Sequence, residues 1–260
     1  MDIVVCIKRV PDLSEVEVAI DSSRTRIKDD DLVYGLNEWD RFAVEEALQL
    51  KEIHGGNVTV VTVGGEDADD VLRRALAMGA DEAIRLDDPG FLGADGYVTA
   101  RILSAAISNR PFDLILTGSV SSDSGSGVVG GMVAALLDIP QVALATSIEI
   151  QNGKALIQHE VETSLERLVE VDLPALVTVQ TGINEPRYVS IRGIRLVAGA
   201  AIPVLDGQSI GLDAAALASR WVNLEEMSLP PTGGGAEILQ GRTEEVVDQL
   251  IDRLKTQGAI

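Results

Sequence analysis

Along its first half the chain alternates short apolar runs with stretches of helical periodicity. Residues 3–7 form one continuous apolar run of strand length, and residues 58–63 are a β-branched run that also reads as a strand. Residues 38–53 set Phe42, Ala43 and Leu48 on one helical face, with acids and Lys51 elsewhere. Residues 67–78 predict a second helix, with Val71, Leu72, Ala75 and Leu76 inward and Gly79 as its stop. A short strand over 83–86, a helix over 97–107, a strand over 114–117 and a helix over 128–137 follow. Repeated β–α units of this kind imply a mostly parallel sheet, right-handed crossovers and helices on its faces.

The rhythm then changes. Residues 142–150 and 155–161 flank Gln151-Asn152-Gly153-Lys154, and Asn-Gly between two such runs predicts a β-hairpin. Residues 175–180 are another β-branched run, and this second part reads as an antiparallel extension of the same sheet. From Ser190 regularity fades. Pro230-Pro231-Thr232-Gly233-Gly234-Gly235 cannot hold a helix or a central strand, and an amphipathic helix over 243–254 ends the chain. A long irregular segment with a terminal helix is unusual inside a compact domain. The expected division is therefore an α/β domain with a hairpin extension over 1–189, and an arm over 190–260 that lies on something else.

Composition sharpens this picture. Apolar residues make up 46% of 260 but aromatics only 3%, so the core rests on Val, Ile, Leu and Ala, as suits a buried parallel sheet. A net charge of −20 argues against nucleic acid and against anionic membrane surfaces. No apolar run is long enough to span a bilayer. The single cysteine, Cys6, rules out an intrachain disulfide, and a reducing compartment is expected: the cytoplasm, or the mitochondrial matrix in a eukaryote. His54 and His159 lack metal-ligand spacing.

The candidate chemistry lies in Gly125-Ser126-Gly127-Val128-Val129-Gly130, a G-x-G-x-x-G run after a strand and before a helix. A Rossmann dinucleotide site would carry this motif in the first βαβ unit, with an acid at the end of a following strand for the ribose. Here it sits at about the fourth strand, without that acid. Glycines still permit close backbone approach, free N–H groups at a helix start favour an anion, and Ser121, Ser122, Ser124 and Ser126 add hydroxyls. Asp123 suits a phosphate only if it turns away or caps the loop. The pattern alone leaves two readings of residues 118–130 open, a phosphate cradle and a plain Gly/Ser turn.

A family becomes visible at Asn184-Glu185-Pro186-Arg187-Tyr188, preceded by Leu173-Pro174-Ala175-Leu176-Val177-Thr178-Val179. This resembles the signature of the β subunit of electron transfer flavoproteins. Ile7-Lys8-Arg9-Val10-Pro11-Asp12, Ala43-Val44-Glu45-Glu46-Ala47, Ala75-Leu76-Ala77-Met78-Gly79-Ala80-Asp81 and Pro140-Gln141 agree, in order, over nearly the whole chain. The resemblance implies a Rossmann-like adenine-nucleotide-binding domain, a C-terminal arm wrapping the α subunit, FAD held mainly by that subunit, and AMP in this one. In the electron-bifurcating branch a second FAD replaces the AMP. It also implies an electron carrier rather than a free-standing enzyme. Electrons would come from a flavin-dependent, acyl-CoA-type dehydrogenase and leave to a quinone oxidoreductase or another acceptor.

Carried over by position, the resemblance places nucleotide contacts at Cys6, Asn37, Val63, Gly118, Asp123, Gly125, Ser126, Gly127, Val128, Val129 and Gly130, with Cys6 and Val63 acting through backbone groups on the adenine. It places the dehydrogenase-docking residue at Ile191; the alternative is a core residue on a short helix. Three features depart from the family. The loop matches neither D-D-D-x-N-Q-T-G, the AMP type, nor D-G-D-T-x-Q-V-G, the bifurcating type, because its amide side chains are gone. Leu13 stands where some members place a Tyr near the flavin, with Trp39 at a nearby aromatic position. Leu196-Val197-Ala198-Gly199-Ala200-Ala201 replaces the lysine cluster of the mitochondrial form. An adenine-nucleotide module of the stress-protein type shares the β–α pattern, but the hairpin, the N-E-P-R-Y block and the arm speak against it. The misplaced glycine motif weakens an NAD-dependent oxidoreductase.

Overall fold

The computed structural model describes residues 1–14, 16–29, 32–161, 165–213, 217–231 and 235–260, so part of the expected Pro/Gly break, residues 232–234, lies outside the described residues. The chain forms two compact units, Met1–Val18 with Lys28–Glu225, and Ala19–Ile27 with Glu226–Ile260.

The larger unit is built on a sheet of nine strands among the described residues. Its parallel core comes from β1 (Ile3–Cys6), β4 (Val58–Val63), β5 (Glu82–Leu86) and β6 (Leu114–Gly118), after β2 (Arg9–Asp12) and β3 (Val33–Leu36) have formed a separate antiparallel pair. β7 (Gln141–Gln151), β8 (Lys154–Glu160), β9 (Glu166–Asp172), β10 (Ala175–Val179) and β11 (Val204–Leu205) complete it in the order β11-β5-β4-β1-β6-β10-β7-β8-β9. Successive residues of β1 point to opposite faces. Ile3 and Val5 join the core beneath α1 (Glu38–His54) and α2 (Asp69–Met78). Val4 and Cys6 join the core beneath α3 (Gly96–Ser108) and α4 (Val129–Leu137). The chain runs outward from β1 to β4 and β5, then returns to β6 on the other side of β1. That reversal makes the carboxyl ends of β1 and β6 a topological switch point, the place where open α/β sheets receive ligands.

The Asn152-Gly153 hairpin forms as expected, with φ of 54° and 77° at the two residues between β7 and β8. β10 differs from the antiparallel expectation: it lies between β6 and β7 and runs parallel to both. All five of its residues are buried, and a strand covered on both faces belongs in the middle of a sheet, not at the end of a meander. β9 escaped the sequence reading because its charges interrupt the apolar run. It forms the outer edge, where exposed Glu166, Arg167 and Glu170 discourage pairing with another chain. Beyond residue 190 the chain still belongs to the larger unit: α5 (Ile191–Val197) packs on α2, and β11 pairs with β5.

In the smaller unit, Ile20 bridges Ile27, Arg24 pairs with Glu226, and the amide of Met227 donates to the Arg24 carbonyl at 2.7 Å. Its C-terminal helix, Thr243–Thr256, buries no residue, and Val247 and Leu250 are exposed. Among the described residues no helix is long and apolar enough to cross a membrane.

Leu116, wholly buried in β6, tests the sheet core. Leu116→Ala should lower the unfolding free energy by about 2–5 kcal/mol, since it removes buried methyls and leaves a cavity. Urea denaturation should show this as a shifted midpoint with little change in slope.

Candidate functional site

Cys6, Val63 and Gly118 end the neighbouring parallel strands β1, β4 and β6, so three of the expected contact positions share the carboxyl edge of the sheet. Asn37 reaches the same place as the N-cap of α1. It is 1% exposed; its Nδ2 donates to the Val120 carbonyl at 2.9 Å and its Oδ1 accepts from the Ser122 amide at 3.2 Å. One buried amide side chain thus pins the first part of the glycine loop.

Asp40, one turn into α1, is a second pin. Its Oδ2 accepts from the Lys8 amide at 2.7 Å and its Oδ1 from the Gly118 amide at 3.1 Å, joining the ends of β1 and β6. Burial pushes this carboxyl up to about 7, against the hydrogen bonding of Asn37 and of the two amides. Burial, and then the Asp40 charge, push the Cys6 thiol up to about 12, so Cys6 stays a neutral, buried thiol. Gly118 must be glycine here, because a Cβ would lie 2.4 Å from Asp40 Oδ1 and 2.6 Å from Trp39 Cβ.

Asp123 neither faces the cradle unpaired nor repels from within it. Lys8 Nζ meets its carboxylate at 2.6 Å, and its Oδ1 accepts from the Ser124 amide at 2.7 Å. Burial alone would raise this carboxyl, but hydrogen bonds from Lys8 and Ser121 outweigh it and hold the group below its ordinary value. Beyond Asp123 the loop turns outward. Gly125 and Gly127 both take φ of 61°, the left-handed region that glycine occupies without strain. Gly130 is buried where a Cβ would meet Thr178 Cγ2 at 2.7 Å, so α4 approaches β10 closely just as it begins. Ser126, Gly127 and Val128 are exposed, and Val128 caps α4 with no side-chain hydrogen bond. They lie at a helix start, where backbone amides have no partner within the helix and can receive an anion. Between Gly125 and Gly130 the only polar side chain is the Ser126 hydroxyl, so an anion there would be bound mainly through backbone.

Ile191 stands apart from this group, as the first residue of α5. Ser190 caps that helix, its Oγ accepting from the Gly193 amide at 3.0 Å, and Arg73 of α2 donates to the carbonyls of Val197 and Ala200 at its far end. Ile191 is 67% exposed, which removes the reading of a core residue. Tyr188, Ile194 and Leu196 are exposed beside it in sequence. The preceding segment is anchored on α1: Arg187 Nε donates to Glu45 Oε2 at 2.8 Å and its Nη2 to Glu45 Oε1 at 3.0 Å, while Asn184 Nδ2 donates to Glu46 Oε2 at 2.9 Å. Glu45 and Glu46 are buried, although the helical pattern assigns them to the polar side of α1. Burial tends to raise Glu45, but hydrogen bonds from Arg187 and Gln49 prevail and hold it low. Glu46 is raised, by burial first and by the Glu45 charge, against the bond from Asn184.

Sequence reasoning missed Lys8 and Asp40 as organisers of the loop. Lys8 stood inside a recognised block without a role. An acid in the first turn of a helix ordinarily reads as a complement to the helix dipole, so no signal marked Asp40. Among the described residues no group of three His, Cys, Asp or Glu side chains could hold a metal ion.

The fold and the loop define a mainly parallel α/β chain with a glycine-rich loop and a helix start at its topological switch point. Comparison with known proteins gives this class a family. The model of the electron transfer flavoprotein domain matches residues 25–208. An electron transfer flavoprotein subunit beta of Bacillus subtilis (strain 168) is 37% identical, over the full length of both chains. One of Thermoanaerobacterium thermosaccharolyticum is 36% identical over both full lengths, as is the caffeyl-CoA reductase-Etf complex subunit CarD of Acetobacterium woodii. The chain belongs to the electron transfer flavoprotein family as a β subunit, an electron-carrier subunit rather than a catalytic enzyme.

The Arg187–Glu45 pair tests the anchoring of the segment that carries Ile191. Arg187→Met strands a buried carboxylate and should lower stability at pH 7 by about 2 kcal/mol, less than for a fully enclosed pair because Arg187 is one-third exposed. Glu45 is held below its ordinary value, so the pair's contribution is present at neutral pH and is lost as the pH falls through the carboxylate range. Melting temperatures of the two proteins should accordingly converge toward acid pH.

Proposed function

We propose that the chain works as the β subunit of a cytoplasmic heterodimer that carries electrons from a flavin-dependent dehydrogenase to a quinone oxidoreductase or similar acceptor. In this reading the FAD that carries the electrons sits mainly on the α subunit, and the chain itself holds a structural AMP. The observation that carries the reading is the backbone cradle after β6, with amides of Ser126, Gly127, Val128 and Val129 at a helix start and the backbone of Cys6 and Val63 on the same sheet edge for the adenine. The donor set fits a phosphate: glycines that permit close approach, exposed hydroxyls, and an acid neutralised by Lys8. When bound, the flavin supplies the redox chemistry, and the protein supplies position and insulation.

A second reading places another FAD where the AMP would lie, as in electron bifurcation. The resemblance to the caffeyl-CoA reductase-Etf complex subunit favours it. Cofactor analysis of the heterodimer purified with its α subunit separates the two: one FAD and one AMP supports simple transfer, and two FAD supports bifurcation. Gly127→Asp should empty the β-subunit site in either case. It forces a side chain onto a residue at φ of 61°, with Cβ 3.4 Å from the Ser119 carbonyl, and sets a negative charge against the phosphate. A full complement of nucleotide in that variant would show that the site lies elsewhere.

The arm supports association with an α subunit, because Val247 and Leu250 of the helix Thr243–Thr256 are exposed. Ile191 is the proposed contact with the dehydrogenase. Full burial of such a side chain in a pocket contributes about 1.5–3 kcal/mol. Ile191→Ala should therefore weaken that docking roughly ten- to hundredfold. Melting temperature and flavin content should stay at native values while transfer from the dehydrogenase slows; native transfer rates would remove Ile191 from the docking surface.

A further inference from the structure

Asp40 has a position and a chemistry that the expected contact residues leave unexplained. Its carboxyl is buried at the switch point, between two strand ends that nothing else on α1 joins by side chain. One of those ends leads into Lys8, whose ammonium holds Asp123 of the glycine loop, and the other is Gly118, where that loop begins. We propose that Asp40 is a positioning residue for the nucleotide, its carboxylate holding the amides of Lys8 and Gly118 so that the loop over 118–130 closes into a binding-competent cradle. This rests on the nucleotide reading proposed above.

The hydrogen-bond inventory gives the reason for a charged acid. A carboxylate only accepts, so both of its oxygens can face N–H donors. A protonated acid, or an asparagine, turns one donor toward an amide that is itself a donor. One of the two strand ends is then released. The groups facing the carboxyl are the Cys6 thiol and, further out, the Lys8 ammonium from the β1 side, the Gly118 amide from β6, and the Asn37 side chain from its own helix. The ammonium is already engaged with Asp123, and the thiol is neutral, so burial dominates and pushes the carboxyl up to about 7.

The linkage separates a positioning role from a structural one. A folded-state value above the unfolded one means that Asp40 favours the fold most when protonated, and that this contribution declines as the pH rises through about 7. The ionised acid is thus kept at the expense of stability. Asp40→Asn removes the buried charge at pH 8 but leaves one strand-end amide against a donor, so nucleotide binding should weaken far more than the melting temperature falls. A merely structural acid gives the reverse.

The experiment titrates the nucleotide-stripped heterodimer with AMP by calorimetry from pH 5.5 to 8.5, for native protein and for Asp40→Asn. Native affinity should fall toward pH 5.5 beyond the part due to the phosphate of AMP, because only the ionised fraction is competent. Asp40→Asn should bind weakly at pH 8 and keep only the dependence due to the phosphate. Native affinity and a native profile in the variant would overturn the proposal. Should the variant fail to assemble, amide exchange in the native heterodimer decides. Protection at Lys8 and Gly118, corrected for intrinsic rates, should drop as the pH falls through 7; constant protection overturns the assignment. If native heterodimer takes up no AMP at any pH, the nucleotide reading itself fails and this one with it. Native uptake with an unchanged variant overturns the Asp40 role alone.

Discussion

Two neighbouring parallel strands, β1 and β6, end side by side, and past their last ladder bonds the backbone amides need an acceptor. Water would serve, but then each strand would lead into a loop of its own. In this chain the acceptor is one carboxyl, Asp40, brought in by the first turn of α1, and it takes the amide of Lys8 from one strand and that of Gly118 from the other. The constraint propagates. With its backbone fixed, Lys8 reaches Asp123; with Gly118 fixed, Val120 and Ser122 fall within reach of Asn37. The glycine loop is exposed at its tip yet tied at its base by the side chains of Lys8, Asn37 and Asp40.

The same helix carries the other functional feature. α1 begins beside the glycine loop, and about two turns further on its buried acids Glu45 and Glu46 hold Arg187 and Asn184. Two sequence blocks about 140 residues apart, Ala43-Val44-Glu45-Glu46-Ala47 and Asn184-Glu185-Pro186-Arg187-Tyr188, thus contact each other and need each other. A buried carboxylate pair would repel and be expensive on its own; a guanidinium and an amide make it tolerable. The segment after Arg187 then leads into α5, where Ile191 projects from the surface. α1 therefore anchors both the base of the loop and the segment that leads to the exposed aliphatic residue, while α2 holds the helix that carries it.

Much of this was legible in the sequence. The β–α rhythm, the hairpin turn and the glycine loop rest on local patterns, and local patterns survive into the fold. What was hidden depends on non-local partners. β10 looked like the next strand of a meander, and only its burial on both faces shows it inserted between β6 and β7. β9 looked polar because an edge strand carries its charges outward. Glu45 and Glu46 looked like surface residues because their partners lie at 184 and 187, and Asp40 looked like a dipole complement because its donors are backbone amides, which no sequence displays.

Backbone recognition also accounts for the way the loop departs from both family patterns. An amide side chain that contacts a phosphate is lost when replaced, but a main-chain N–H is present whatever the residue, provided the chain can adopt the required turn. Gly125 and Gly127 supply that turn at positive φ, and Gly130 lets α4 begin against Thr178. Asp123 is retained beside them because Lys8 neutralises it and its carboxylate fixes the Ser124 amide. Asn, Gln and Thr side chains can therefore be exchanged for serine, glycine and valine without moving the cradle. On the proposed nucleotide reading, discrimination between nucleotides would rest on the shape of the backbone rather than on side-chain contacts.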